Sequence, residues 1–329
     1  MLRGKDIACN PIGQWKCEVE SVEILSKPAI GISVIMLTYN RESLVARAIE
    51  CILAQTFEDF EFIIVNNGST DRSGAIADGY AVNDSRIRVI HRERGNIGSG
   101  RNSGLDMAQG EYIAFIDDDD WCESDYLEFL NSLAVENDAD VSICGTSSNP
   151  FDEKQIMTAE EAIIELLWRK YYNVGFPAKL IKRDIFEGFR FSDTSRYDDI
   201  YLMPKIFSRA RLVAYHGLGK YTVFRHENNN SAWTSNHSLI RFGILDEYLT
   251  VYRDRTRWLC ELYPNNVEAW RYFEWSFMIS MVEKVVRLGL SDCELLLEGM
   301  LYELRRNRDA FINSKFILDF EKKWMELYV

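Results

Sequence analysis

Four adjacent aspartates are the part of this sequence best suited to chemistry. Asp117, Asp118, Asp119 and Asp120 directly follow an apolar run, residues 112–116, that is typical of a buried strand. Adjacent carboxylates repel one another, so folding alone does not explain their place at the end of a core strand. Carboxylate oxygens are hard ligands that suit Mg²⁺, Mn²⁺ or Ca²⁺. We therefore predict a divalent-metal site, with an acidic turn that caps the next helix as the alternative.

The segments around these aspartates predict an α/β fold in which strands and helices alternate. Strands are predicted at 32–37, 60–65, 86–91, 112–116 and 141–144, and helices at 43–54, 74–82 and 125–136. This alternation indicates a mostly parallel sheet covered by helices on both faces. The polar loops that follow three strands, at 38–41, 66–71 and 117–120, should then gather at one edge of the sheet, where such sheets bind ligands.

A glycine-rich segment, residues 95–104, is predicted to be a polar loop that leads into a short helix ending at Gly110. It is not a dinucleotide-binding fingerprint, because the third glycine is missing from the required spacing and the segment does not follow the first strand.

The chain divides into three predicted parts: an N-terminal extension of unknown purpose (1–30), an α/β domain (31–235) and a C-terminal all-helical domain (236–329). Helices in the tail are predicted at 239–263, 267–288, 292–306 and 311–327. The tail carries many aromatic residues, which favours a helical bundle that packs for stability or for homodimerisation.

Composition narrows the class of protein. The chain has 38 Lys and Arg against 51 Asp and Glu, a formal net charge of −13, which argues against a nucleic-acid partner. No apolar stretch is long enough to span a bilayer. The 7 cysteines form no CxxC motif and are predicted to be reduced thiols. We expect a soluble cytoplasmic protein, with peripheral attachment to the inner face of the membrane left open.

Six motifs, in their order and spacing, resemble family 2 glycosyltransferases. They are SVIMLTYN (33–40), QT (55–56), VNNGSTD (65–71), NIG (96–98), RN (101–102) and FIDDDD (115–120). The resemblance covers residues 31–147 and continues more weakly to about residue 233. It implies a GT-A fold, a nucleotide-sugar-binding sheet with inverting sugar transfer, as in enzymes that build bacterial capsules, exopolysaccharides, wall polymers and protein-linked glycans.

The resemblance also implies a donor site. Thr38 and Tyr39 should lie against the nucleoside, Arg101 near the base or diphosphate, and Asp118 beside them. Asn66 stands where the family usually has an aspartate that accepts the uracil N3–H. An amide both donates and accepts hydrogen bonds, so Asn66 can still read uracil, but UDP is less strongly implied than with aspartate.

Asp117 and Asp119 match the outer members of the family's Asp-x-Asp motif, which binds Mn²⁺ or Mg²⁺. The resemblance implies Asp119 as the direct metal ligand, Asp117 nearer the ribose or the metal, and Asp120 in a supporting role. His226 is expected at the metal or the diphosphate, with an ordinary surface histidine as the equal alternative.

The family places an acidic pair at the start of a later helix. Here the pair is Asp198 and Asp199, in a helix predicted at 198–210. The resemblance implies Asp199 as the base that deprotonates the acceptor hydroxyl and Asp198 as its acceptor-orienting neighbour. The alternative is that both only cap the helix.

The predicted function is therefore an inverting, metal-dependent glycosyltransferase. Its donor would be a nucleotide sugar, with a UDP-sugar favoured, and its acceptor a glycan, a lipid-linked glycan or a glycoprotein. The sugar itself depends on the pocket formed by 117–121 and 173–179. The alternative is a glycosyltransferase-like binding subunit that has lost turnover. A nucleotidyltransferase is disfavoured, since residues 38–43 do not form a basic, glycine-rich triphosphate loop.

Overall fold

The computed structural model describes residues 30–148, 150–192, 198–226 and 236–329, so the predicted N-terminal extension lies outside the described residues except for residue 30. A nine-stranded sheet is formed within these ranges. Its strands are β1 (Ile32–Thr38), β2 (Phe60–Asn66), β3 (Ile87–His91), β4 (Tyr112–Asp117), β5 (Trp121–Cys122), β6 (Val141–Thr146), β7 (Lys154–Thr158), β8 (Lys179–Lys182) and β9 (Leu212–Thr222).

Helices surround this sheet and form the C-terminal region. They are α1 (Val45–Leu53), α2 (Ser73–Asn83), α3 (Ile97–Met107), α4 (Tyr126–Glu136), α5 (Ala159–Trp168), α6 (Asp198–Phe207), α7 (Phe242–Leu262), α8 (Val267–Leu288), α9 (Glu294–Arg306), α10 (Arg308–Ile312) and α11 (Asp319–Tyr328). The last predicted helix is in fact two, α10 and α11. None of the helices in the described ranges has the length and apolarity that crossing a bilayer requires.

The sheet is mixed, with strand order β3-β2-β1-β4-β8-β6-β9-β5 and β7 paired with β9. Strands β3, β2, β1 and β4 are parallel, as the alternation predicts, whereas β8 runs antiparallel to both β4 and β6. The sequence did not predict β7 and β8 because they have only 5 and 4 residues, and β7 is mostly exposed. So short a segment carries too little periodicity to be identified.

One long strand, β9, replaces the two short strands predicted at 211–215 and 220–224. Its parallel pairing with β6 shifts register on both sides of Gly145, so the strand bulges instead of ending. A side chain at Gly145 would overlap the carbonyl of Gly217, which shows that the two backbones approach closely there. The bulged strand continues to Thr222 and delivers the segment that follows it to the acidic loop.

Both faces of the sheet are covered. On one face, Met36 and Ile64 pack with Ile49 of α1 and Leu127 of α4. The core on the other face extends from Ile35 into the C-terminal helices, which supply Trp270, Met300 and other buried side chains. The buried aromatic residues of the tail, Trp270 and Tyr272 among them, therefore pack in a core that is shared with the sheet.

Helix α3 begins inside the glycine-rich segment, so the prediction of a loop at 95–104 is wrong. The Asn96 side chain caps this helix by accepting a hydrogen bond from the Ser99 N–H at 2.8 Å. Side chains at Gly100 and Gly104 would overlap Leu37 and Ile35 of β1, respectively. These glycines therefore allow a helix to lie directly on a strand and do not make the segment flexible.

The close contact between α3 and β1 predicts that Gly104→Ala destabilises the protein by about 1–3 kcal/mol, because the new methyl group must displace Ile35. Gly79→Ala is the matched control, since Gly79 lies within α2 and a Cβ there would have no neighbour within 4 Å. That control should stabilise the helix by roughly 0.5–1 kcal/mol. Urea unfolding measures both changes, and equal stabilisation by the two substitutions would contradict the packing described here.

Candidate active site

The four aspartates lie where β4 ends, at the carboxyl edge of the parallel strands, as predicted. Asp117 is the last residue of β4 and lies opposite Leu37 of β1. Carboxylate oxygens of Asp117, Asp119 and Asp120 all lie within 4.8 Å of one another, while Asp119 and Asp120 are buried. The acidic loop is thus one cluster and not a solvated turn.

Asp120 ties the acidic loop to the end of β9. One of its oxygens accepts a hydrogen bond from the Tyr221 hydroxyl at 2.7 Å, and the other accepts one from the Phe224 N–H at 2.8 Å. Because both oxygens are engaged within the protein, Asp120 supports the loop, and Asp117 and Asp119 are the better candidates for direct metal ligands.

His226 lies beside the cluster, with its Nε2 atom 2.9 Å from an Asp119 carboxylate oxygen. Ring contacts hold this segment: the rings of Phe224 and His226 are 5.4 Å apart, and those of Phe224 and Trp121 are 5.8 Å apart. The Arg47 guanidinium packs against both Phe224 and Trp121, 4.7 and 4.2 Å from their ring centroids. Arg47 also donates to the Asp119 carbonyl oxygen at 2.5 Å. No sequence motif marks Arg47, which lies in α1 beside the apolar stripe of that helix.

Desolvation is the main cause of the raised pKa values of the carboxylates in the acidic loop. It raises the pKa of Asp118 to about 8 and that of Asp120 to about 7, and neighbouring carboxylates add to both increases. The pKa of Asp117 is also raised, first by desolvation and then by the charges of Asp119 and Asp199, against the opposing charge of Arg101. Keeping these carboxylates ionised therefore costs free energy, and a bound cation would lower that cost.

The residues predicted to hold the nucleoside lie together on the neighbouring strand ends. Thr38 ends β1 and lies opposite Asn66, which ends β2. The Tyr39 N–H donates to an Asp118 oxygen at 3.2 Å, which links this wall to the acidic loop. The Arg94 guanidinium covers the Tyr39 ring, 3.1 Å from its centroid, and sequence reasoning missed this residue because it belongs to no recognised motif.

Arg101 forms an ion pair with Asp199, with a distance of 2.8 Å between guanidinium nitrogen and carboxylate oxygen. Arg101 comes from α3 and lies over the rings of Phe176 and Phe191, 4.9 and 5.2 Å from their centroids. Asp199 lies in the first turn of α6, as predicted. Asp198 begins this helix, but its predicted role concerns a side chain outside the described residues. The charges of Arg101 and Asp199 both act on Asp117, and Arg101 also lies 5.8 Å from the ring centroid of Phe115 on β4, so the ion pair stands near the acidic loop.

The segment predicted to shape the sugar pocket contains a buried cation, Lys179. Its ammonium group donates to the Gly175 carbonyl oxygen at 2.6 Å. Burial lowers its pKa to about 8, while the charge of Asp199 acts in the opposite direction. Because Lys179 is 2% exposed, the segment 173–179 carries a buried basic group, a feature that the sequence did not predict.

The donor set fits a divalent cation. Asp117 and Asp119 supply carboxylate oxygens and His226 supplies an imidazole nitrogen, a mixture that suits Mn²⁺ and that Mg²⁺ accepts through the oxygens. Because its Nε2 atom lies beside Asp119, His226 is a candidate third member of this donor set.

Comparison with known proteins gives a family match. Residues 33–196 match the model of the glycosyl transferase family 2. Glycosyltransferase GlyG of Streptococcus pneumoniae is 33% identical over 204 residues, which are 56% of this chain and 67% of that protein. Glycosyltransferase GlyA of the same organism is 30% identical over 231 residues, 64% of this chain but only 33% of GlyA, so the chain matches a third of that relative's length.

Among solved structures, S. aureus TarS (residues 1–349, in complex with UDP-GlcNAc) is similar with a TM-score of 0.59 and 18% identity, over 85% of this chain and 89% of that one. At this identity the likeness concerns the fold, and it confirms the predicted GT-A architecture. The match to GlyG, together with the family model, establishes the relationship by sequence: this chain belongs to glycosyltransferase family 2.

Proposed function

We propose that the chain is an inverting, metal-dependent glycosyltransferase that moves a sugar from a UDP-sugar to a hydroxyl group of a glycan, a lipid-linked glycan or a glycoprotein. The observation that carries this proposal is the placement of Asp117, Asp119 and His226 near the Arg101–Asp199 ion pair, whose charges act on Asp117. The crystallisation of TarS with UDP-GlcNAc supports a nucleotide-sugar donor. Homodimerisation and peripheral membrane attachment stay predictions.

Asp117, Asp119 and His226 would hold the cation, Mn²⁺ or Mg²⁺. When bound, the ion supplies positive charge that stabilises the diphosphate leaving group as the glycosidic bond breaks. The protein keeps these ligands in place through Asp120, which is fixed to the end of β9, and through Arg47, which holds the Asp119 carbonyl.

Asp199 would take the proton from the acceptor hydroxyl. Inversion requires the acceptor to attack the anomeric carbon from the face opposite the diphosphate, so the base must stand on the side of the sugar opposite the metal ligands. Arg101 donates to one Asp199 oxygen and fixes the carboxylate, which leaves the other oxygen for the acceptor. The helix-capping alternative predicts no such partner.

A panel of UDP-, GDP- and CDP-sugars with Mn²⁺ tests the proposed function. We expect slow release of UDP from a UDP-sugar, with water as the acceptor, and no release in EDTA. Failure of every nucleotide sugar to bind in the presence of Mn²⁺ would instead favour the binding subunit that has lost turnover.

Asp119→Ala should weaken Mn²⁺-dependent UDP binding roughly 100-fold, because it removes a direct ligand and the partner of His226. Isothermal titration with and without Mn²⁺ measures the effect. Asp106→Ala is the control, since Asp106 forms only an exposed ion pair with Arg190. Unchanged Mn²⁺-dependent binding in Asp119→Ala would exclude Asp119 as a ligand.

Asp199→Asn should lower kcat about 10²–10⁴-fold and leave the Kd for UDP and Mn²⁺ within twofold of the wild type, because the amide still accepts from Arg101 but takes no proton. Asp319→Asn is a matched control, for Asp319 also stands in the first turn of a helix, α11. If both substitutions lowered only stability, and to a similar degree, Asp199 would be a capping residue.

A further inference from the structure

The side-chain amide of Asn66 is held at both ends. Its oxygen accepts a hydrogen bond from the Ser69 N–H at 3.0 Å, and its nitrogen lies 3.0 Å from His91 Nδ1. A backbone N–H can only donate, so the amide oxygen must face Ser69 and the amide nitrogen must face His91. His91 Nδ1 is therefore the acceptor of this hydrogen bond.

Asp78 fixes the tautomer of His91. Because Nδ1 accepts, the ring proton lies on Nε2, which is 2.9 Å from an Asp78 carboxylate oxygen and donates to it. The side chains of His91 and Asp78 are 50% and 52% exposed, whereas Asn66 is 7% exposed. A half-exposed pair contributes little to core packing, and its hydrogen bond to the buried Asn66 amide joins it to the strand end.

Helix α2 restricts the same amide sterically. A Cβ atom at Gly74 would lie 2.5 Å from the Asn66 nitrogen, so the helix backbone passes directly over the side chain. Turning the amide over would place its NH₂ group against the Ser69 N–H, which is also a donor. Hydrogen bonding and packing thus select one orientation.

One N–H and one lone pair of the amide are left after these two hydrogen bonds. Asn66 ends β2 beside Thr38 at the carboxyl edge of the parallel strands, where a ligand of this sheet binds. Uracil presents N3–H as a donor beside carbonyl acceptors, whereas cytosine presents N3 as an acceptor beside an amino donor. An amide can pair with either base edge, but only by exchanging its donor and acceptor positions.

We propose that His91 and Asp78 are positioning residues that fix the Asn66 amide in the orientation that selects uracil over cytosine nucleotides. This inference rests on the proposed function, in which UDP is the nucleotide. It assigns base selection to a relay, Asp78 to His91 to Asn66, that gives the amide one fixed arrangement of its donor and acceptor.

The test compares the Kd values of UDP and CDP, both with Mn²⁺, by isothermal titration. The wild type should prefer UDP, and His91→Phe should lower this preference by roughly tenfold, because the amide loses one of its two fixed partners. Asp78→Ala should shift the ratio in the same direction by a smaller factor. Adding Asn66→Asp to His91→Phe should restore the preference for UDP, since a carboxylate has only acceptors and needs no orienting partner.

His216→Phe is the matched control, because His216 also pairs with an aspartate, Asp152, at 3.1 Å, but through an exposed contact on β9. It should leave the UDP-to-CDP ratio unchanged. If UDP binds and the ratio is the same in the wild type and His91→Phe, this inference fails and the proposed function stands. If the wild type binds neither nucleotide with Mn²⁺, both fail.

Discussion

The repulsion among closely spaced carboxylates is the constraint on which the rest of this structure depends. Asp117, Asp119 and Asp120 meet at the end of β4, and burial raises the pKa of Asp120 to about 7. A sequence selected only for stability would leave these carboxylates exposed to water, because burying a charge costs free energy. Instead, hydrogen bonds from Tyr221 and Phe224 and the stacked side chain of Arg47 hold the loop in place.

The supports of the acidic loop come from distant parts of the chain. Strand β9 reaches the loop only because it bulges around Gly145 and continues to Thr222, more than 100 positions beyond the aspartates. Helix α1 contributes Arg47 from the other side. The proposed metal ligands are thus held by the sheet itself, which gives a geometry more rigid than a surface loop could provide.

Sequence reasoning predicted the strands that show as apolar runs and the residues that stand in motifs. It missed the side chains whose positions depend on a single tertiary contact. The strands β1, β2 and β4 and the meeting of Thr38, Asn66 and Asp117 follow from apolar runs and parallel pairing. Helix propensity predicts a loop at the glycine-rich start of α3, because it disfavours glycine in helices, and only the packing against β1 explains the glycines. Arg47 and Arg94 could not be predicted, since no local pattern distinguishes a stacked arginine from a solvated one.

The packing of α3 against β1 also links the acidic loop to the Arg101–Asp199 ion pair. Gly100 and Gly104 bring α3 against β1, and Arg101 follows from that placement because it lies on the same helix. Its guanidinium then reaches the first turn of α6 and holds Asp199. A helix kept farther from the strand by larger side chains would carry Arg101 away with it. The position of the proposed base therefore depends on Gly100 and Gly104, because neither has a side chain that would separate α3 from β1. The residue that follows β1, Tyr39, in turn contacts the acidic loop.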